Sequence, residues 1–436
     1  MIANNRAIEL TEWQSLDPSN CEALRGWFIE PDDPDRVVWD QVVGSRLLDL
    51  AELRNGVRVS ARSHVGRIRL GGLTVTVKPK LPGNSMLNLL RYAYGFRRLN
   101  LLSNAEHAIT NGGFEDLLVA QLVSEVEELL ARGLRREYVE RSEELASPRG
   151  KLEIAKIAAN GGVVTAALPC RFYPRIEDSP LNQVLKAGLR LASNITSSSD
   201  LARHAMRLES RLADGVSDVV LQWKVLERVE RGVNRLSEAY LPSLKIIQLL
   251  MSSSGISLES NTTYASLPGF LFDMNTFFQQ LMSRFLSDHL PGYRIVDEHG
   301  LKDMMRYSPQ YNPKRRRSPT PRPDFAVFKQ QQLVELLDAK YRDLWDKTLP
   351  REMLYQLVVY AISQTNRPRS SIVYPSASGT ATESRIDVCD PVTQSRIGQV
   401  RLVPINLPRI ERLLRENTAT SRRELQTEAA RVAILR

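Results

Sequence analysis

Two short runs in the last third of this 436-residue chain hold the side chains that phosphodiester chemistry needs. Pro323-Asp324-Phe325 is followed, after the thirteen residues from Phe325 to Leu337, by Asp338-Ala339-Lys340. On an extended strand alternate side chains share a face, so Asp338 and Lys340 point one way while Leu337 and Ala339 enter the opposite layer. A turn between the two strands brings Asp324 beside Asp338. Two carboxylates at a strand junction form an oxygen-rich site suited to Mg²⁺, and a nearby lysine can orient or deprotonate a water. The alternative is that Asp-x-Lys simply ends an exposed strand. Against that, Leu333, Val334, Leu336 and Leu337 form an apolar run, and burying an unpaired carboxylate at its end is costly without a cation or hydrogen bonds. Downstream, Gln356 and Tyr360 lie four apart on an expected helix, hence on one face.

Several elements must hold that set in place. A helix is expected from about Met274 to Leu290, then a strand from Tyr293 to Val296 and a long basic loop. Strands Phe325–Phe328 and Gln332–Ala339, a helix from Glu352 to Ser363, and strands Ser371–Tyr374 and Val400–Pro404 complete an α/β core with its chemistry at strand ends. Earlier, Val57 to Leu70 and Leu73 to Lys80 alternate apolar and polar residues around Gly71-Gly72, a hairpin signal. Helices follow from Ser85 to Phe96 and from Phe114 to Leu134, and the segment from 135 to 260 reads as mostly helical, with a capped start at Asp178-Ser179-Pro180. The Ser252–Gly255 run and Asn261–Thr263 mark a junction. The expected fold class is therefore α+β and multidomain. It comprises a strand-rich N-terminal domain (1–134), a helical middle segment (135–260), a C-terminal α/β domain (261–408) and a charged helical tail (409–436) that is read as solvated.

Composition bounds the partners. The chain carries 59 Lys+Arg against 50 Asp+Glu, a formal +9, which makes an acidic partner plausible, nucleic acid first. Lys314, Arg315, Arg316 and Arg317, with Arg306 and Arg322 nearby, meet no acid between Asp303 and Asp324. They either grip phosphate ahead of the acidic site or form a solvated loop. Cys21, Cys170 and Cys389 make three cysteines with no CxxC pair, which argues against a disulfide framework or a cysteine zinc site and fits a reducing cytoplasm. No signal peptide or membrane span is expected. The lack of a G-x-x-x-x-G-K-[ST] loop argues that the chain does not itself hydrolyse a nucleoside triphosphate at such a loop.

Pro-Asp, Asp-x-Lys and Gln-x-x-x-Tyr in this order resemble the PD-(D/E)XK nuclease superfamily, with Asp338 in place of the usual Glu. Further residues resemble the McrC family. They are Lys78-Pro79-Lys80 before Leu87–Tyr94, and Gly150-Lys151-Leu152 after Tyr138. Asp178-Ser179-Pro180-Leu181-Asn182 with Leu185-Lys186, and Phe272-Asp273-Met274-Asn275 with Phe278, complete the set. The resemblance implies a Mg²⁺-dependent DNA endonuclease subunit, with Mn²⁺ a possible substitute. It would belong to a modification-dependent (5-methylcytosine-type) restriction system and work with a McrB-like AAA+ GTPase hexamer. In that family the N-terminal part docks into the ring and stimulates GTP hydrolysis while the C-terminal part cuts DNA. The expected metal set is Asp324, Asp338 and Ala339; Lys340 positions the water, and Gln356 and Tyr360 support the site or contact the strand. Lys314, Arg315, Arg316, Arg317 and Arg322 are candidates for DNA, and Arg67, Arg69, Lys78 and Lys80 for the ring. One departure stands out: Gln279, followed by Gln280, occupies a position where the family pattern has an acid, leaving Asp297, Glu298 or His299 as possible replacements. It keeps two other readings open, a non-cutting adaptor that only docks on the GTPase and a nuclease that needs no motor.

Overall fold

The computed structural model describes residues 6–33, 35–96, 113–159, 161, 166–254, 269–346, 348–364, 368–376 and 378–433. The junction expected near residue 260 lies outside them. Contacts divide the chain into two units that interleave in sequence. One takes in Gly66–Thr76 and Arg97–Leu271, the other Arg6–Val65, Val77–Phe96 and Phe272–Arg436. The architecture is mixed α and β, with several sheets.

In the second unit the helix Met274–His289 (α1) starts on a cap. Asp273 accepts from the Asn275 N–H at 2.9 Å and from the Thr276 hydroxyl at 2.8 Å. Met274, Phe277, Phe278, Leu281, Met282 and Phe285 recur at helical spacing and are buried. Next come strands Tyr293–Asp297 (β1), Phe325–Lys329 (β2) and Gln332–Ala339 (β3), helix Arg351–Ile362 (α2), and strands Arg369–Ser376 (β4), Ser384–Cys389 (β5) and Arg396–Asn406 (β6). They form one six-stranded sheet in the order β1-β2-β3-β4-β6-β5. β2 and β3 are an antiparallel hairpin, β3, β4 and β6 run parallel, and α2 makes the crossover from β3 to β4. Central strands in such a sheet are covered on both faces, which is why Phe325, Ala326, Val327, Leu336 and Leu337 are all buried.

Three expectations change here. The Val57–Leu70 run is two strands, Gly56–Ala61 and His64–Leu70, interrupted at Arg62-Ser63. β5 went unforeseen because it is an edge strand whose side chains stay mostly out of the core. The tail read as solvated folds into helices Leu407–Glu416 (α3) and Ala419–Ala433 (α4), with Leu407, Ile410, Leu413, Leu425, Ala429 and Val432 buried. The charges that dominate its composition occupy the remaining faces.

The first unit contains the helices Phe114–Arg132, Pro180–Ile195, Ser199–Ala213, Trp223–Arg231 and Leu241–Ser253. Its middle stretch is less helical than expected: short strands Glu137–Tyr138, Arg141–Leu145, Lys151–Leu152, Leu168–Phe172 and Arg175–Ile176 precede the Pro180 helix. The Arg-Ser-Glu-Glu sequence of Arg141–Leu145 has no apolar alternation to betray a strand. Gly150 (φ +75°) lets this ribbon close, since a Cβ there would fall 2.3 Å from the Arg171 carbonyl oxygen. At the start of the Pro180 helix the Asn182 amide donates to the carbonyls of Arg135 (3.0 Å) and Glu177 (2.7 Å), and its oxygen accepts from the Tyr240 hydroxyl at 2.9 Å. Asp178 accepts from the Ser217 hydroxyl and amide and from Gln183, and Lys186 donates to the Val216 carbonyl at 2.7 Å.

Candidate active site

The register of the β2–β3 hairpin sets the site. Phe325 pairs with Leu337, so Asp324 and Asp338 stand next to this pair at the same open end of the hairpin. Asp324 Oδ2 accepts from the Ala339 N–H at 2.7 Å. On the other side of β3, Asp338 and Ala339 lie beside Ile372 and Val373 of β4, and the Lys340 N–H donates to the Val373 carbonyl at 2.9 Å. The main chain therefore clamps the Asp-x-Lys run from both neighbours. Lys340 Nζ lies 2.8 Å from Asp338 Oδ2 and 3.6 Å from Asp324 Oδ2. The three side chains converge.

Asp338 is 2% exposed. Its Oδ1 is buried with no hydrogen-bond partner among the described residues, an arrangement that costs about 1–3 kcal/mol or more for a charged group. Burial, then the Asp338 charge, pushes Asp324 up to about 6. Burial works against the charge of Lys340, but the Asp338 and Asp324 carboxylates outweigh it and hold its pKa above the ordinary lysine value. Lys340 is thus an ammonium at neutral pH, a donor rather than a base. Gln356 Nε2 donates to the Tyr360 hydroxyl at 2.8 Å on α2. Burial raises the Tyr360 pKa against the pull of the Gln356 hydrogen bond, with the Asp338 and Asp324 charges adding to the rise.

A model of the family described as McrBC 5-methylcytosine restriction system component matches residues 59–375. The chain belongs to that family. Among solved structures, it is 18% identical to a chain of the refined half-complex from the tetradecameric assembly of Thermococcus gammatolerans McrB AAA+ hexamers with bound McrC. That match covers 98% of this chain and 100% of that one, with a TM-score of 0.60, and shows a shared fold. A chain of the cryo-EM structure of the Thermococcus gammatolerans McrBC complex is 20% identical over 66% of this chain and 89% of that one, at a TM-score of 0.45. No curated protein matches. No helix among the described residues is long and apolar enough to cross a membrane.

Several residues that carry the resemblance to McrC turn out to be architectural. Asp273 caps α1, Asn275 Nδ2 donates to the Ser63 hydroxyl at 2.5 Å, and Phe278 packs edge-on against Tyr341 with ring centroids 6.0 Å apart. Gln279 is half-buried on α1. The proposed replacements for the missing acid do not join the pair. Asp297 is engaged by the Ser283 hydroxyl at 2.7 and 2.9 Å, and His299 lies edge-on to Phe328 at 5.4 Å. Glu298 gives its main-chain N–H to the Asp324 carbonyl at 2.9 Å. No group of three His, Cys, Asp or Glu able to hold a metal occurs among the described residues.

The basic run sits on a built turn. Asn312 accepts from the Arg316 N–H at 2.8 Å and donates to its carbonyl at 2.9 Å, with Arg315 in the left-handed region at φ 47°. Lys314, Arg315, Arg316, Arg317 and Arg322 are exposed. None of them forms an ion pair with a described residue. The N-terminal candidates divide between the units. Arg67, facing Glu115 at 3.6 Å, and exposed Arg69 belong to the first, while Lys78, paired with Glu9 at 2.6 Å, and exposed Lys80 belong to the second. Sequence reasoning missed one buried network behind the site. Glu335 accepts from Ser371 at 2.8 Å and faces Arg369 at 2.7 Å, and Arg401 donates to Ser371 (3.2 Å), to Glu383 (2.9 Å) and to the Val432 (3.4 Å) and Arg431 (2.9 Å) carbonyls. The only signal was Glu335 within an apolar run.

Proposed function

We propose that this McrBC component is the DNA endonuclease subunit, hydrolysing phosphodiester bonds at a PD-(D/E)XK site in the second unit. The observation that carries the reading is the unpartnered Asp338 Oδ1 beside Asp324 and Lys340. A pair of buried hard oxygen donors with one left unsatisfied fits a small divalent cation, so Asp324 and Asp338 would hold Mg²⁺, with Mn²⁺ a possible substitute. A bound cation supplies positive charge against the scissile phosphate. Lys340, kept protonated by the two acids, orients the attacking water and offers a second positive charge. The α2 pair Gln356–Tyr360 would support the site or contact the strand, and the exposed basic loop before Asp324 offers cations to the phosphates.

By the family resemblance, the partner is an AAA+ GTPase hexamer that reads the modified base, and this chain docks on it and stimulates its turnover. Purified chain should cut modified DNA only with that partner and a divalent cation. The Asp338→Ala protein should still bind the partner and raise GTP turnover while losing cleavage; wild-type cleavage by that variant would sink the assignment. One observation favours a second reading, a non-cutting adaptor: the described residues offer only two acids at the site, with Gln279 standing where a third is expected. Wild-type protein that stimulates GTP turnover yet never cuts, in Mg²⁺ or Mn²⁺, would select it.

A further inference from the structure

A cavity of about 140 Å³ lies within the second unit, bounded by Glu12-Trp13, by Lys80 to Pro82, and by residues that follow the C-terminal ends of β3 and β6, Tyr341 and Leu407 among them. Trp13, Leu81, Pro82 and Leu407 give it apolar walls. Lys80, Asp343 and Ser376 add polar groups to the lining, and Glu12 is the deeply buried acid among them. It is 2% exposed; its Oε1 accepts from the Tyr341 hydroxyl at 3.2 Å and the Lys80 N–H at 3.3 Å, while Oε2 is buried with no partner among the described residues. A carboxyl oxygen left in that state on the wall of a cavity is costly unless something enters to meet it. Trp13 is itself held in an unusual backbone state, φ 65°, by a turn in which the Gln14 N–H donates to the Thr11 carbonyl at 3.1 Å. Nothing in the proposed hydrolysis uses these residues.

Size and polarity together define the occupant. An apolar cavity of about 150 Å³ accepts one benzene ring. This one therefore has room to seat a single six-membered ring. We propose that it binds a single-ring, amino-bearing heterocycle, the chemistry of a pyrimidine base, with Glu12 Oε2 meeting the polar edge and Trp13 forming part of the apolar wall. Burial pushes Glu12 up to about 7 against the pull of the Tyr341 and Lys80 hydrogen bonds, so near neutral pH the free oxygen can accept from an amino group or donate to a ring nitrogen. The source assigned here is a base of the DNA, and to that extent the inference rests on the nuclease reading.

The test titrates the full-length protein with deoxycytidine, with deoxyadenosine, and with a short single-stranded oligonucleotide carrying either pyrimidines or abasic positions. Deoxycytidine and the pyrimidine oligonucleotide should bind, with deoxyadenosine at least about tenfold weaker. Glu12→Gln should weaken deoxycytidine by about tenfold, the scale of one lost polar contact. Leu81→Trp fills the cavity from a half-exposed position that folding tolerates, and should abolish binding of both. Asp338→Ala should leave deoxycytidine affinity unchanged, which separates this site from the proposed cutting site. Equal binding by wild type, Glu12→Gln and Leu81→Trp, or no binding of deoxycytidine to wild type, overturns the proposal. Deoxycytidine binding without preference for the pyrimidine oligonucleotide over the abasic one overturns the DNA source. A protein that binds deoxycytidine as described but cuts no DNA supports the cavity and overturns the nuclease reading alone.

Discussion

In the first unit Asn182 uses its amide and its oxygen on three partners, and Lys186 finds both the Val216 carbonyl and Asp218 at 3.1 Å. At the end of β3, Asp338 is as deeply buried yet keeps one oxygen without a partner. Both clusters contain residues that carry the family resemblance, so resemblance alone does not separate them. Hydrogen bonding does. A fully satisfied buried network specifies the fold, whereas an unsatisfied one is held by the surrounding structure for something that arrives from outside.

The sharpest way to break this contrast is to exchange the expected phenotypes. Asp338→Ala should lower cleavage by on the order of 10²–10³-fold or more without lowering the unfolding midpoint measured in the absence of divalent cation. Asn182→Ala should do the reverse. It strands the carbonyls of Arg135 and Glu177 and the Tyr240 hydroxyl, for a loss of about 3 kcal/mol in denaturant unfolding, with cleavage by the folded fraction unchanged. Asp324→Asn tests the strain in the acidic pair. Because its pKa is pushed up to about 6, folded Asp324 holds its proton more tightly than the unfolded chain does. Its carboxyl therefore weakens the fold progressively as pH rises from about 4 through 6. The Asn variant should be more stable than wild type by about 1–3 kcal/mol at pH 8 without divalent cation, and the advantage should vanish below about pH 4. Added Mg²⁺ should stabilise wild type and not the variant. The smallest effect is in the basic loop. Changing Arg315, Arg316 and Arg317 to Ala should flatten the slope of log K against log salt by about 0.9 per lost phosphate contact, and an unchanged slope would return the loop to plain solvation.

How much of this could be read from the sequence follows from burial. The β2–β3 hairpin and α2 were legible because their apolar runs and spacings are dictated by covered faces, and the Asp324–Asp338–Lys340 set came with them. Strand Arg141–Leu145 was not, since an exposed polar strand leaves no periodic trace, and β5 offers only the short alternation of Ile386 and Val388. The tail helices hid their buried stripe, partly small residues such as Ala429 and Val432, beneath a high density of charge. Glu12 gave no signal at all, because the Tyr341 hydroxyl that marks its importance lies 329 residues away. Long-range partners of single polar side chains are set by tertiary contact and leave no local pattern.

The Arg401 guanidinium has a consequence for biosynthesis. Two of its acceptors are main-chain carbonyls of Arg431 and Val432, at the end of α4, and it also bonds Ser371, the neighbour in β4 of the Ile372 that lies beside Asp338. A ribosome adds those carbonyls only after every catalytic candidate has been made. Until then a buried cation next to the site has lost part of its shell, so a stalled or prematurely terminated product lacks a firm floor under its acids. Completion of the ground beneath the acidic pair is thereby tied to synthesis of α4.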